Sequence, residues 1–288
     1  MKTLPDNTAQ TVMAVGAHAD DIEIGVGGTL EKAFRHGYEI VYVMSTNNMS
    51  GAVGSLDADG KQTVVQEPNT EMIHRRKREC ADAARELGTV PIHLDHPQRH
   101  YTDEKLQRVD LCYGAPIPGA ISGDVPTILT ACEMPEHIER VTNIILEKNP
   151  ELVFTHPLAT YNPEHFCTTL LVANAYWKAV ERGYRGGLLF WTEPQTRFGP
   201  AYHRWETFID CSPYLDRKME LIGKHACQMP KAHLPTFGHR ILALEYGKAC
   251  GCVAAECFIW ARRPDQREGN GIFPAYGSMT LELYNNAR

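Results

Sequence analysis

The sequence predicts a single α/β domain spanning residues 1–288, built on a Rossmann-like, mostly parallel sheet flanked by helices and carrying active-site loop insertions. Three observations predict it. Short apolar runs rich in branched residues alternate with stretches of helical periodicity in the order β-α-β-α-β. A chain of 288 residues is long enough to bury one large core. Its 43% hydrophobic and 22% charged residues are those of an ordinary folded protein, with no low-complexity tract.

Thr11 to Val15 reads as a short buried strand that runs into the polar turn Gly16-Ala17-His18-Ala19-Asp20-Asp21. A helix over Glu23 to His36 follows, with Leu30, Ala33 and Phe34 at helical spacing and Gly37 as terminator. Glu39 to Ser45 is a second buried strand, rich in branched and aromatic residues. Asn47 to Asn69 is polar and holds Gly51, Gly54, Gly60 and Pro68, which predicts a long functional loop. Glu71 to Leu87 is a helix stopped by Gly88, and Pro91 to Leu94 a third strand. From about His96 to Pro135 periodicity is lost, and residues 97–135 are read as an insertion or lid.

Regularity returns with a helix over Glu136 to Glu147, a strand over Leu152 to Thr155 and a helix over Glu164 to Glu181. Gly187 to Trp191 reads as an edge strand. Pro213 to Gln228 and Ile241 to Cys257 read as helices, and residues 231–288 as a C-terminal extension packing on the domain.

The formal charge of -6 offers no general attraction for nucleic acid, which is not an expected partner. Met1 to Gln10 lacks the apolar core of a signal peptide, and no later run is long enough to span a bilayer; a cytoplasmic protein without membrane insertion is expected. Nine scattered cysteines, an odd number, point to reduced thiols rather than a disulfide framework.

In parallel sheets the ligand lies beyond the carboxyl ends of the strands. His18, Asp20, Asp21 and Glu23 follow the first strand there, and His165 follows the strand Leu152 to Thr155 within a polar run that begins at His156. Acidic residues gathered around a histidine are costly without a counter-charge, and a cation would supply it. His18 and Asp21, three apart in a tight turn, can point one way while Asp20 points elsewhere. His18, Asp21 and His165 then make a three-ligand catalytic zinc site that leaves a position for water, with Asp20 free as its base. Acidic residues at such a turn also cap helices and suit their positive ends, so at this stage the metal and capping readings both stand.

The run Ala17-His18-Ala19-Asp20-Asp21-Ile22-Glu23 followed by Gly27-Gly28-Thr29 resembles the first motif of the LmbE-like, or PIG-L, family of zinc N-deacetylases. The resemblance continues through Arg76 and Glu79, through His156 to His165, and through Lys224-His225-Ala226-Cys227-Gln228. It implies a zinc-dependent hydrolase that removes an N-acetyl group from an amino sugar or related small amide. One Zn2+ per chain is expected, with other divalent metals as alternatives, held by His18, Asp21 and His165, and Asp20 is the implied general base. Arg76 falls where family members place a substrate-contacting arginine. The partner is a small N-acylated substrate, and association into a homo-oligomer is expected from the family.

This chain departs from the family twice. Ala19 replaces the proline after the first histidine, which affects mainly the stiffness of the turn. Asn162 stands where the second motif commonly has a histidine three residues before the metal ligand. If that histidine stabilises the oxyanion, the duty falls to Tyr161 or His225 as catalytic residues, or to Asn162 or His156 among the substrate-binding groups.

Two rival readings accompany this one. The Asn162 replacement suits a catalytically silent sugar-binding protein of the same fold. His18, Asp20 and His165 also match the two-histidine, one-carboxylate set of a non-haem Fe(II) oxygenase, although the predicted fold fits those enzymes poorly.

Overall fold

The computed structural model describes residues 10–111, 126–193 and 207–262. Its centre is β1 (Thr11–Gly16), buried along its whole length and able to lie between two neighbours with helices on both faces. To one side β1 pairs in parallel with β2 (Glu39–Thr46), and β2 with β5 (Ile92–His96). To the other side it pairs in parallel with β8 (Leu152–Thr155), and β8 with β9 (Gly187–Trp191). Two antiparallel strands complete the sheet, β11 (Ala255–Arg262) against β9 and β10 (Thr207–Asp210) outside it, giving the order β10-β11-β9-β8-β1-β2-β5.

Side chains alternate across this sheet, and the two resulting faces are covered separately. Val12, Ala14, Tyr42, Met44, Phe154 and Trp191 pack with Ile22, Val26 and Leu30 of α1 (Asp21–Arg35), with α2 (Asn69–Glu86) and with α6 (Leu215–Gly223). Met13, Val15, Val41, Val43, Val153 and Leu188 pack with α3 (Ile128–Ala131), α4 (Pro135–Lys148) and α5 (Pro163–Glu181) on the opposite face. α1 approaches the sheet closely at Gly25, where an added Cβ would meet the Trp191 ring at 2.5–2.7 Å.

Several expectations are corrected. The Asn47 to Asn69 loop contains an antiparallel hairpin, β3 (Val53–Leu56) with β4 (Gln62–Val65), whose second strand is exposed throughout and therefore carries no buried-face pattern. Within the expected lid, β6 (His100–Thr102) and β7 (Arg108–Asp110) form another hairpin, while residues 112–125 lie outside the described residues. β9 is interior rather than an edge strand, because the C-terminal segment expected only to pack on the domain inserts β11 beside it. The helix expected over Ile241 to Cys257 is α7 (Gly238–Cys250), closed by Gly251 at a φ of 85°, after which Ala255 begins β11. Among the described residues, no helix is long and apolar enough to cross a membrane.

The chain runs from β1 to β2 on one side and returns through β8 on the other, so the order of connection reverses between β1 and β8. A doubly wound sheet places its ligand beyond the carboxyl ends of those two strands.

Candidate active site

The turn after β1 is shaped for a cluster. Asp20 takes a left-handed φ of 109° and makes no side-chain bond to the amides of α1, so its carboxylate does not cap the helix. Asp21 turns back instead, its Oδ2 accepting from the His18 amide at 2.6 Å. The loop after β2 supports the turn, with Asn48 Oδ1 accepting from the Ala19 amide at 2.7 Å. Beyond β8, Asn162 caps α5 by accepting from the Glu164 amide at 3.0 Å, with Pro163 in the first helical turn, and His165 is buried on that turn.

His18, Asp21 and His165 thereby meet. His18 Nδ1 lies 3.1 Å from His165 Nε2 and 3.2 Å from Asp21 Oδ2, and His165 Nε2 lies 3.5 Å from Asp21 Oδ1. Tetrahedral zinc ligands at bond lengths of about 2.0–2.2 Å stand about 3.3–3.5 Å from one another, so this triangle has the size of one face of a zinc coordination sphere. All three residues are buried. Burial would raise the Asp21 pKa, but His165, His156 and His18 surround the carboxyl and hold it well below the usual range. Burial likewise opposes charge on His18, yet Asp21 and Glu164 outweigh it and push the imidazole up to about 10. The buried carboxylates around His18 thus stabilise positive charge there.

Asp20 is not part of that triangle, and its Oδ2 faces Arg76. Arg76 Nη2 donates to Asp20 Oδ2 at 3.3 Å and to the Ala19 carbonyl, and Nη1 to the Ser50 carbonyl at 3.5 Å. Burial pushes Asp20 up to about 6, against the opposing pull of Arg76. Arg76 is itself buried on α2, so its guanidinium is engaged by the turn after β1.

The remaining expected site residues occupy different positions. His156 is buried and stacks on His165 at a centroid distance of 4.0 Å; its Nε2 accepts from the Ala17 amide at 3.0 Å. That nitrogen also lies 3.2 Å from Asp21 Oδ2, and Asp21 and Glu193 push the His156 pKa up against burial. His225 is completely buried and pairs through Nε2 with Glu23 Oε2 at 2.9 Å, while Tyr42 donates to the other Glu23 oxygen at 2.9 Å. Tyr161 is 74% exposed and stands outside the cluster, and the Asn162 side chain is engaged as a helix cap.

Two buried carboxylates went unnoticed in the sequence. Glu164 Oε2 lies 2.6 Å from His18 Nε2 and accepts from Gln98 Nε2 at 3.1 Å, while its Oε1 accepts from the Arg99 amide at 2.8 Å. Glu193 Oε1 lies 2.8 Å from His156 Nδ1 and 2.7 Å from His165 Nδ1, and its Oε2 accepts from Thr160 at 2.7 Å. Glu164 reads in sequence as an ordinary first-turn acid. The signal for Glu193 is its place two residues past the carboxyl end of β9, which the strand rule marks only once β9 is known to run parallel inside the sheet.

A doubly wound α/β domain with a buried His-Asp-His cluster at its switch point defines the class. Residues 13–176, more than half of the chain, match the family described as PIG-L: GlcNAc-PI de-N-acetylase, and the chain belongs to that family. It is similar to the diacetylchitobiose deacetylase of Thermococcus kodakarensis, with 25% identity over 259 residues covering 88% of this chain and 83% of that protein. Among solved structures it resembles N,N'-diacetylchitobiose deacetylase from Pyrococcus horikoshii at a TM-score of 0.58 and 20% identity, covering 88% of this chain and 84% of the other. It also resembles GalB, the 4-carboxy-2-hydroxymuconate hydratase of Pseudomonas putida, at a TM-score of 0.62 and 17% identity, covering 90% and 98%. A hydratase and deacetylases on one fold show that the fold alone does not choose the reaction.

Proposed function

We propose that this protein is a metal-dependent N-deacetylase that hydrolyses the acetamide of an amino sugar or a related small N-acylated amine. The observation that supports it most directly is the triangle of His18 Nδ1, Asp21 and His165 Nε2, with sides of 3.1, 3.2 and 3.5 Å. Those residues would hold a divalent ion, with zinc the natural choice for two imidazoles and a carboxylate; when bound, it supplies Lewis acidity and lowers the pKa of water to about 7.

The chain's own residues then have distinct duties. Asp20, on the turn but outside the ligand triangle, takes the proton from the attacking water and returns it to the amine nitrogen as the C–N bond breaks. Arg76 holds the Asp20 carboxylate and, through the Ala19 carbonyl, the strained turn that carries it. Family membership and the similarity to sugar deacetylases support the acetamide and the amino sugar.

The test is metal analysis combined with an acetate-release assay on N-acetylglucosamine, N,N'-diacetylchitobiose and a non-sugar acetamide. One divalent ion per chain and metal-dependent release of acetate from at least one sugar are expected. A chain loaded with one ion that binds these sugars but frees no acetate overturns the proposal in favour of a silent binding protein.

A further inference from the structure

The two buried carboxylates beside the cluster differ from Asp20 and Asp21 in what they touch. Glu164 contacts the far nitrogen of His18, and Glu193 the far nitrogen of His165, so each acts on an imidazole from outside the triangle. The contacts of 2.6 and 2.7 Å are hydrogen-bond lengths, and a carboxylate at such a distance requires the proton on the nitrogen. A neutral imidazole protonated at one nitrogen offers its lone pair only at the other, so the outer partner decides which atom is left to bind.

We propose that Glu164 and Glu193 are positioning residues that fix opposite tautomers on the two metal-binding imidazoles, so that His18 presents Nδ1 and His165 presents Nε2. The inference rests on the metal reading above and adds two residues, and the identity of the binding atoms, to it.

Independent contacts hold each carboxylate in place for this task. Glu164 is 2% exposed, and its remaining capacity is filled by Gln98 Nε2 and the Arg99 amide, both from the segment after β5. Gln98 is anchored in turn by accepting from the Ser50 amide at 2.7 Å. Glu193 is 4% exposed, and its second oxygen is occupied by Thr160.

His156, His165 and Glu193 also come close enough to be considered a second metal group. Its atoms are already satisfied without an ion. Glu193 Oε1 lies within hydrogen-bond reach of both Nδ1 atoms, and His156 Nε2 is engaged by the Ala17 amide and lies 3.2 Å from Asp21 Oδ2, so the nitrogen of this group that faces His18 is His165 Nε2. The group is therefore a clamp that serves the first site.

The test compares the wild type with Glu164→Gln and Glu193→Gln. Zinc affinity is read by chelator competition, folding by circular dichroism, and imidazole protonation by two-bond 15N–1H spectra of the zinc-loaded protein. In the wild type the proton is expected on Nε2 of His18 and on Nδ1 of His165. Each variant is expected to bind zinc about 10–100-fold more weakly. Glu193→Gln should disturb the His165 pattern and Glu164→Gln the His18 pattern. Thr160→Val, which removes only the second partner of Glu193, is the milder variant should Glu193→Gln fail to fold, and it should weaken binding in the same direction. Folded variants with wild-type zinc affinity, or spectra with the opposite protonated nitrogens, overturn the assignment. A wild type that takes up no divalent ion overturns instead the metal reading beneath it.

Discussion

Asp20 and Asp21 are neighbours in the chain yet serve different partners: Asp21 Oδ2 lies 3.2 Å from His18 Nδ1, whereas Asp20 Oδ2 lies 3.3 Å from Arg76 Nη2. The left-handed backbone at Asp20 separates them. A single-atom change at each position should therefore have different effects. Asp20→Asn is expected to keep the metal and lose about 10²–10⁴ in kcat, the range of a lost acid-base group. Asp21→Asn and His165→Ala are expected to lose the metal itself, read by metal analysis after dialysis. Near-normal turnover in zinc-loaded Asp20→Asn would remove it from the role of base.

Asn162 provides a second test. Its side chain caps α5, and losing such a cap costs about 1 kcal/mol. Asn162→Ala should lower the unfolding free energy by about that amount, and Asn162→Asp, which retains the acceptor, should not. Equal stability of all three proteins in urea denaturation would show the cap to be idle.

His96, at the end of β5, gives stability a pH dependence of its own. Burial, with His137 and Arg140 beside it, holds its pKa down to about 3, whereas in the unfolded chain it titrates near 6.5. Below pH 6.5 the unfolded state therefore binds a proton that the native state refuses. The contribution is complete above 6.5 and falls as pH drops toward 3, by at most about 1.4 kcal/mol per pH unit. Between about pH 7 and about pH 5 the wild type should lose more stability than His96→Gln, measured by urea unfolding. Parallel losses in the two proteins would contradict this.

Gly25 tests the packing beneath the site. A methyl there would sit 2.5 Å from the Trp191 ring, which is 2% exposed and also meets the His156 ring edge-on at 4.5 Å. Gly25→Ala should cost about 1–3 kcal/mol through overpacking. An unchanged melting temperature would mean that α1 or the indole moves aside freely.

Much of the site was legible because its residues follow strands that announce themselves. Thr11 to Val15 and Leu152 to Thr155 are continuous buried runs, and the rule about carboxyl ends then directs attention to His18, Asp21 and His165. Glu193 is not legible because β9 reads as an edge strand in sequence, and only long-range pairing with β11 makes it interior. β11 itself is hard to read because the small residues Ala254, Ala255 and Cys257 at its start continue the composition of the helix before them. Glu164 illustrates a different limit. A first-turn acid is so ordinary that only its distance to His18 reveals a partner.

The middle of α1 is fastened by an ion pair from elsewhere. Lys218 Nζ donates to the Ile24 carbonyl at 2.8 Å and to Glu256 Oε1 at 2.5 Å, and the two Glu256 oxygens accept the amides of Gly28 and Thr29, each at 2.8 Å. The helix that begins at Asp21 is thus moored to β11, distant in sequence. A chain cut short before Glu256 would lose that mooring and leave the buried Lys218 ammonium uncompensated, so the turn that begins α1 waits for β11 to arrive before it is fully held.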